Sequence, residues 1–442
     1  MSQTTSVGEQ PFEATPNGSV TPTDANVPRN KAPYEGPALG SRSRLALILA
    51  ALATGLVFSA SRGTFPVVIF ALSIVLMVML HEAGHFAVAK WSGMKVSEFF
   101  VGFGPRVWSF RRGETEYGIK AIPAGGYVKI VGMHNLEKGI DPADEARTYR
   151  QASYPRRLAT VAAGVVTQFI LAFLLLMFLW TVMGFPNYDR PTRAIGSISR
   201  LETGASPAAD GGLRVGDEIV AVGGQPVSTW DEVPPLIRTR AGQAVGFTVE
   251  RDGQRQVLTV TPAEIERDGA KIGFVGIGPS PSIEKVGPVT AVGRSAGDLV
   301  RLTGSAVTAI GSFFTPGSIQ DFVGGLVAGE APPTDKRFVS VVGVVRIAGD
   351  AAAGGAFFLV YMLVVLNIFI AVFNLVPLLP LDGGHMAIAT YERLRSRRGR
   401  EPYRANVAKM MPVAVAMVTL LLVIGVVSIY LDIVSPVANP FQ

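Results

Sequence analysis

The chain contains no cysteine and only four histidines, His81, His85, His134 and His385, among 442 residues. The missing cysteine excludes a disulfide framework and a thiolate-ligated zinc, so any metal site must be built from histidine and carboxylate. Charge is scarce too. Asp, Glu, Lys and Arg make up 17% of the residues against 48% that are hydrophobic, a balance that few soluble globular proteins would tolerate. The net charge of +6 would suit a nucleic-acid partner, but no basic stripe interleaved with aromatics occurs outside the short loops between apolar runs. Nucleic acid is therefore excluded as a partner, and the positive excess reads as a topology signal of a membrane protein.

The stretch 1–43 is rich in Thr, Pro, Asn, Gly and Ser without apolar periodicity, which predicts a disordered cytoplasmic tail. It is a poor secretory signal, because the first apolar run begins only near Leu45. A bilayer core needs about 20 apolar residues of helix. The runs 64–80, continuing through His81 to 89, then 158–183, 356–379 and 410–431 meet that length. The run 45–60 is a shorter candidate, with an interfacial helix as its alternative. The predicted class is a polytopic α-helical membrane protein of four to five transmembrane helices, the first two within 44–90, with a β-rich PDZ domain inserted outside the cytoplasm.

Lys and Arg concentrate in two loops, 91–157 and 393–409, the second carrying Arg393, Arg395, Arg397, Arg398, Arg400, Arg404 and Lys409. Two spans (158–184 and 356–392) separate these loops, so both fall on one face, the cytoplasmic one, and the last span (410–434) returns outward. The long segment between the two spans then lies outside. Within it, 185–279 reads as a β-rich domain: alternating apolar residues at 219–222 and 247–250 are bounded by Gly223-Gly224 and Asp252-Gly253, which are hairpin signals, with a short helix over 230–238. The pattern Leu213-x-x-Gly216-Asp217-x-Ile219 followed by Gly224-x-x-Val227 resembles a bacterial PDZ domain. That resemblance implies capture of an extended peptide, or of a trimmed substrate end, by strand addition; a mere spacer that limits access is the alternative. The remainder, 280–355, reads as amphipathic segments against the outer face.

Chemistry concentrates at His81-Glu82-Ala83-Gly84-His85. Residues four apart share a helix face, so both imidazoles can address one ion while Glu82 sits beside them as a general base. Ala83 and Gly84 leave room for another helix. Ionisable residues at the end of an apolar span are costly in lipid and mark a functional site facing the bundle interior. A catalytic zinc needs a third protein ligand. The candidates lie in the run from Asn374 to His385, where Pro377 and Pro380 break the helix and Asp382 starts a new one. Asp382 is preferred by charge and reach, with His385 as the other possibility or as a neighbour that supports it.

These elements resemble the site-2 protease family of intramembrane zinc metalloproteases, and within it the bacterial, actinobacterial-like branch with a single PDZ domain. The matching parts are the His81–His85 motif, Asn374-x-x-Pro377 leading to Leu381-Asp382-Gly383, the external PDZ domain, and the segment 117–129. The resemblance implies Zn2+ bound by His81, His85 and Asp382, Glu82 as base, and Asn374 bonded to the substrate backbone. It also implies a membrane-associated β-hairpin, including Tyr117, Ile119, Gly125 and Gly126, whose edge pairs with unwound substrate. The implied substrates are pre-trimmed single-span membrane proteins, anti-sigma factors or signal-peptide remnants, cleaved in regulated intramembrane proteolysis at the bacterial cytoplasmic membrane, with lipid as the surrounding partner. One departure stands out: where the family commonly shows Gly-Pro-x-x-Asn, this chain has Gly164-Val-Val-Thr-Gln168. Two rival classes are a non-proteolytic PDZ scaffold with a structural metal site, in which Glu82 has no task, and a metal transporter, which would need ionisable residues spread through several spans rather than gathered at one depth.

Overall fold

The computed structural model describes residues 41–133, 137, 139–201, 204–267, 269–313, 315, 317, 320, 324, 339–396 and 403–435. Most of the expected tail (1–40), His134, and Arg397, Arg398 and Arg400 of the second basic loop lie outside the described residues.

Among the described residues five helices are long and apolar enough to cross a membrane. Helix α1 (Ser41–Ser61) takes up the shorter candidate. At 21 residues its length of about 32 Å matches a hydrocarbon core, and its large apolar side chains, such as Leu49, Val57 and Phe58, are exposed. Arg62 and Gly63, the latter at φ +71°, turn the chain into α2 (Phe65–Trp91), with Pro66 in the first turn, where its missing N–H costs nothing. The chain then forms a folded-back hairpin of β1 (Val96–Arg112) and β2 (Thr115–Ile130), in which 98–101 pairs on one side with 116–119 and on the other with 126–129. Repeated register shifts bend this hairpin, and Phe86 of α2 packs edge-on against Phe99 and Tyr117.

After the one-turn α3 (Pro142–Glu145), helix α4 (Tyr154–Phe178) continues as a π-helical turn, Leu179–Met183. The span starts four residues before the sequence boundary at 158. It does so because Arg157, read as the end of a basic loop, is a buried helical residue paired with Glu392. Gly184, at φ +85°, ends the helix.

The segment outside the bundle begins with β3 (Phe185–Ile198). It continues through α5 (Pro207–Asp210), β4 (Glu218–Val222), β5 (Gln225–Pro226), α6 (Val233–Arg238), β6 (Val245–Arg251), β7 (Gln254–Val260), β8 (Ala263–Arg267), β9 (Ala270–Phe274) and β10 (Ile277–Glu284). One sheet runs in the order β10-β3-β4-β6-β7 with β5 on β4; β8 and β9 form a separate hairpin. Alternation turns Phe247 and Val249 inward, and a register irregularity between Ile219 and Ala221 brings both Ile219 and Val222 into the same core with Leu213, Trp230, Val233 and Ile237. Asp217 of the Gly-Asp motif is buried and receives Arg251 Nε at 2.7 Å and the Arg214 N–H at 2.8 Å. Burial pushes its carboxyl upward, but these donors prevail and hold it below the usual carboxylate range.

Two helices occupy 280–355 among the described residues. Helix α7 (Pro288–Phe313) packs its Leu299, Leu302 and Ile310 against α4. Helix α8 (Val341–Gly354) packs on α2. Helix α9 (Ala356–Asn374) then crosses the bundle and stops at Asn374, five residues before the sequence boundary, because the chain loses its helical hydrogen-bond ladder ahead of Pro377 and Pro380. Helix α10 (Asp382–Arg395) starts at Asp382, and α11 (Met411–Val434) completes the last span.

Candidate metal centre

Helix α2 presents His81 and His85 on its inward face, each 6% exposed. Asp382 opens α10, some 300 residues on, and reaches the same point. His81 Nε2 and His85 Nε2 lie 3.1 Å apart, and Asp382 Oδ2 lies 3.2 Å from the first and 3.3 Å from the second. These three atoms form the one His and carboxylate cluster of metal-binding geometry among the described residues.

The donor chemistry fits a cation. His85 Nδ1 lies 2.8 Å from the Thr160 carbonyl oxygen, which can only accept. The ring donates its Nδ1 proton there, and in the neutral imidazole this leaves the Nε2 lone pair directed at Asp382. Asp382 Oδ2 is buried without a hydrogen-bond donor. A cation held by both Nε2 atoms and the carboxylate would satisfy Asp382 Oδ2, a buried charge that is costly to leave unpaired. A tetrahedral zinc with bonds of about 2.0–2.2 Å holds its ligands about 3.3–3.5 Å apart, close to the separations observed. Of the two candidates for the third position it is Asp382 that faces the pair; His385 lines a small cavity with Tyr149, Arg157 and Glu392.

Glycine makes the approach possible. A Cβ on Gly164 of α4 would lie 2.4 Å from His85 Nε2 and 2.6 Å from His81 Cε1, so only glycine admits both imidazoles. Gly84 packs equally tightly on Ala163 and Thr167 of α4, where a Cβ would come within 2.5 Å, as in the small-residue seams of membrane helices. On α10, a Cβ at Gly383 would strike the Leu375 carbonyl at 2.2 Å.

Glu82 faces the hairpin. Its Oε2 accepts the Val128 N–H at 3.1 Å, an edge group of β2 that points away from β1. Gly126 allows this closeness, since a Cβ there would lie 2.5 Å from Met79 Sδ and 3.4 Å from Glu82 Cγ. Gly125 adopts φ +142° beside the Phe103 ring. Tyr117 and Ile119 sit farther along. Tyr117 joins an aromatic cluster with Phe86, Phe99 and Phe110, and Ile119 pairs with Val101 and Trp108 inside the hairpin. The hairpin tip is tied to α2 by Glu114, which receives Arg147 in a bidentate pair (2.7 and 2.9 Å) and also Lys90. The Arg147 hydrogen bonds, opposed by partial burial and aided by Lys90, bring the Glu114 carboxyl down to about 2.

Asn374 is half-buried at the end of α9, eight residues ahead of Asp382. Gln168, at the departure from the family pattern, is 1% exposed, and its side-chain amide atoms meet no protein partner; its backbone carbonyl oxygen accepts from Asn367 Nδ2. Sequence reasoning attached no role to Gly164 or Thr160. The signal was present in Thr160-x-x-x-Gly164 within an apolar span, but it gains meaning only once α4 is known to lie on α2.

An apolar bundle enclosing a His-Glu-x-x-His helix and a distant aspartate defines a class, the membrane-embedded metallopeptidases. Comparison narrows it: the model of peptidase family M50 matches residues 69–421, and the chain belongs to that family. It is 37% identical over 412 residues to zinc metalloprotease Rip1 of Mycobacterium tuberculosis, a match covering 84% of this chain and 98% of the relative. It is 35% identical over 408 residues to zinc metalloprotease Rip1 of Mycolicibacterium smegmatis, with the same coverage.

Proposed function

We propose that this chain is a zinc metalloprotease that hydrolyses peptide bonds within or beside the membrane segment of single-span proteins already trimmed outside. The observation that carries this reading is the convergence of His81 Nε2, His85 Nε2 and Asp382 Oδ2 at the buried end of apolar spans, with Glu82 on the same helix. Zn2+ held by these atoms would supply Lewis-acid polarisation of the scissile carbonyl and make water acidic enough to lose a proton near neutral pH. Glu82 takes that proton and passes it to the departing amine nitrogen. The Val128 N–H fixes one Glu82 oxygen and leaves the other for this work. The outer edge of β2 offers backbone groups to a substrate that must be unwound before cleavage, because a helix hides its carbonyls; Asn374 would hold the same extended strand.

The β domain at 185–284 would act as a PDZ module outside the cytoplasm, taking the trimmed end and excluding bulky ectodomains. Membrane-tethered anti-sigma factors and signal-peptide remnants fit such a filter. The scaffold alternative is less well supported, because structural zinc sites are closed by four protein ligands and the cluster here provides three. The deciding experiment replaces Glu82 by Gln and follows a single-span substrate in vesicles. The protease reading expects processing to stop while zinc stays bound, and continued processing would refute it.

A further inference from the structure

Asp382 is carried by a helix that does not grow out of its predecessor. Residues 375–381 between α9 and α10 lack a helical ladder, and two of them, Pro377 and Pro380, have no N–H to donate. The direction of α9 therefore does not dictate where α10 points. Gly383 and Gly384 seat the start of α10 on this same irregular segment, which can shift with it. The other end of α10 is held quite differently.

There Arg157 Nη1 of α4 donates to Glu392 Oε2 at 2.7 Å, with the two side chains 9% and 4% exposed. No other ion pair among the described residues has both partners so buried. The Arg157 guanidinium lies 4.9 Å over the Tyr149 ring. Glu392 Oε1 accepts the Ala405 N–H at 2.8 Å, and Arg404 stands 3.7 Å from Oε2. Nearby, Tyr154 Oη and Thr390 Oγ1 are 3.3 Å apart. Since Arg157 meets Glu392 at one end while Gly164 meets the imidazoles beside Asp382 at the other, α4 and α10 run antiparallel along a shared seam. Arg157 and Gly164 are seven residues apart on one face of α4; Asp382, Ala389 and Glu392 fall along one face of α10. Thr160, whose carbonyl orients His85, lies between the two ends on α4.

We propose that the Arg157 and Glu392 pair is a positioning clamp that sets the register of α10 against α4 and so delivers Asp382 to His81 and His85. A buried ion pair adds little net stability over a well-packed apolar pair, because desolvation offsets its attraction. What it adds is register: a slip of one turn, about 5.4 Å, would strand both charges unpaired in a low dielectric. The inference rests on the metal-site reading above, and its test separates the two.

The full-length protein is loaded with Co2+, whose visible absorption reports ligand number and geometry, and in parallel with Zn2+, whose loss to a chelator is timed. Three variants are compared: Glu392→Gln; the double variant Arg157→Met with Glu392→Met, which removes both charges and keeps the bulk; and the exchanged pair Arg157→Glu with Glu392→Arg. The first two are expected to release Zn2+ about ten- to a hundredfold faster, to lose cobalt absorption intensity, and to lower kcat with KM within about twofold. The exchanged pair should recover part of each. A folded Glu392→Gln or double-Met protein with the wild-type cobalt spectrum and zinc-release rate overturns the clamp, and if one of these fails to fold the other decides. Failure of the underlying reading looks different: the wild type would take up Co2+ no better than His81→Ala does.

Discussion

The β domain and the helical bundle close their interiors in opposite ways. The β-domain core draws all its buried residues from Ile195 to Val275, a continuous stretch of chain. The metal centre instead joins two histidines near position 80, a carbonyl and a glycine near 160, and an aspartate at 382. A locally closed core tolerates small adjustments among neighbours, because apolar side chains can repack. A site assembled from three helices depends on their register, and here glycines and one buried ion pair set it. The two regions should therefore fail separately, and differently.

The largest effect is expected at Glu82. Replacement by Gln should lower cleavage of a membrane substrate by about 10²- to 10⁴-fold while zinc content and the β domain stay intact; metal analysis beside a processing assay checks this. Next comes Gly164→Val. Its side chain must displace both imidazoles, so zinc affinity should drop at least about a hundredfold, with hydrogen-exchange protection of β4 and β6 unchanged. Loss of protection there would show that the two regions are not independent. The converse change is Phe247→Ala, in the closed core of the β domain, which should cost about 3–5 kcal/mol of that domain's stability and leave zinc retention as in the wild type. Hydrogen exchange and chelator kinetics on one preparation distinguish these outcomes.

The smallest effect is a pH dependence at the hairpin tip. Glu114 has its carboxyl at about 2 in the folded chain against an ordinary value of 4.5, so the docked tip binds fewer protons than the free one. The stabilisation is fully present above about pH 4.5 and is lost as pH falls toward about 2. At a partly exposed site it amounts to no more than about 1 kcal/mol. Tryptophan fluorescence followed through this range should show a transition that Glu114→Gln removes; an unchanged transition would assign it to another group.

Much of this molecule was legible beforehand where the signal is local. Apolar runs longer than a bilayer core announced the spans, alternation and glycine turns announced the strands over 219–222 and 247–250, and His81, Glu82 and His85 sit four residues or fewer apart on one helix. Asp382 was legible by a different route, from charge and from the proline break before it, helped by resemblance to a known motif. The hairpin was less so. Gly126 lies against Glu82 and Gly125 beside Phe103, whereas Tyr117 and Ile119 turn to aromatic and cross-strand partners, a distinction set by the bends in β1 and β2.

The sequence by itself determined that this is a polytopic membrane protein whose metal chemistry rests on histidine and carboxylate, because hydrophobic length and the lack of cysteine leave no other course. Only the tertiary structure decided that Asp382 and not His385 faces the pair, that Gly164 makes room for it, and that Arg157 pairs with Glu392 at the far end of the same seam. Helix periodicity states which residues share a face. Which helix that face meets, and in what register, depends on contacts between residues more than 200 positions apart.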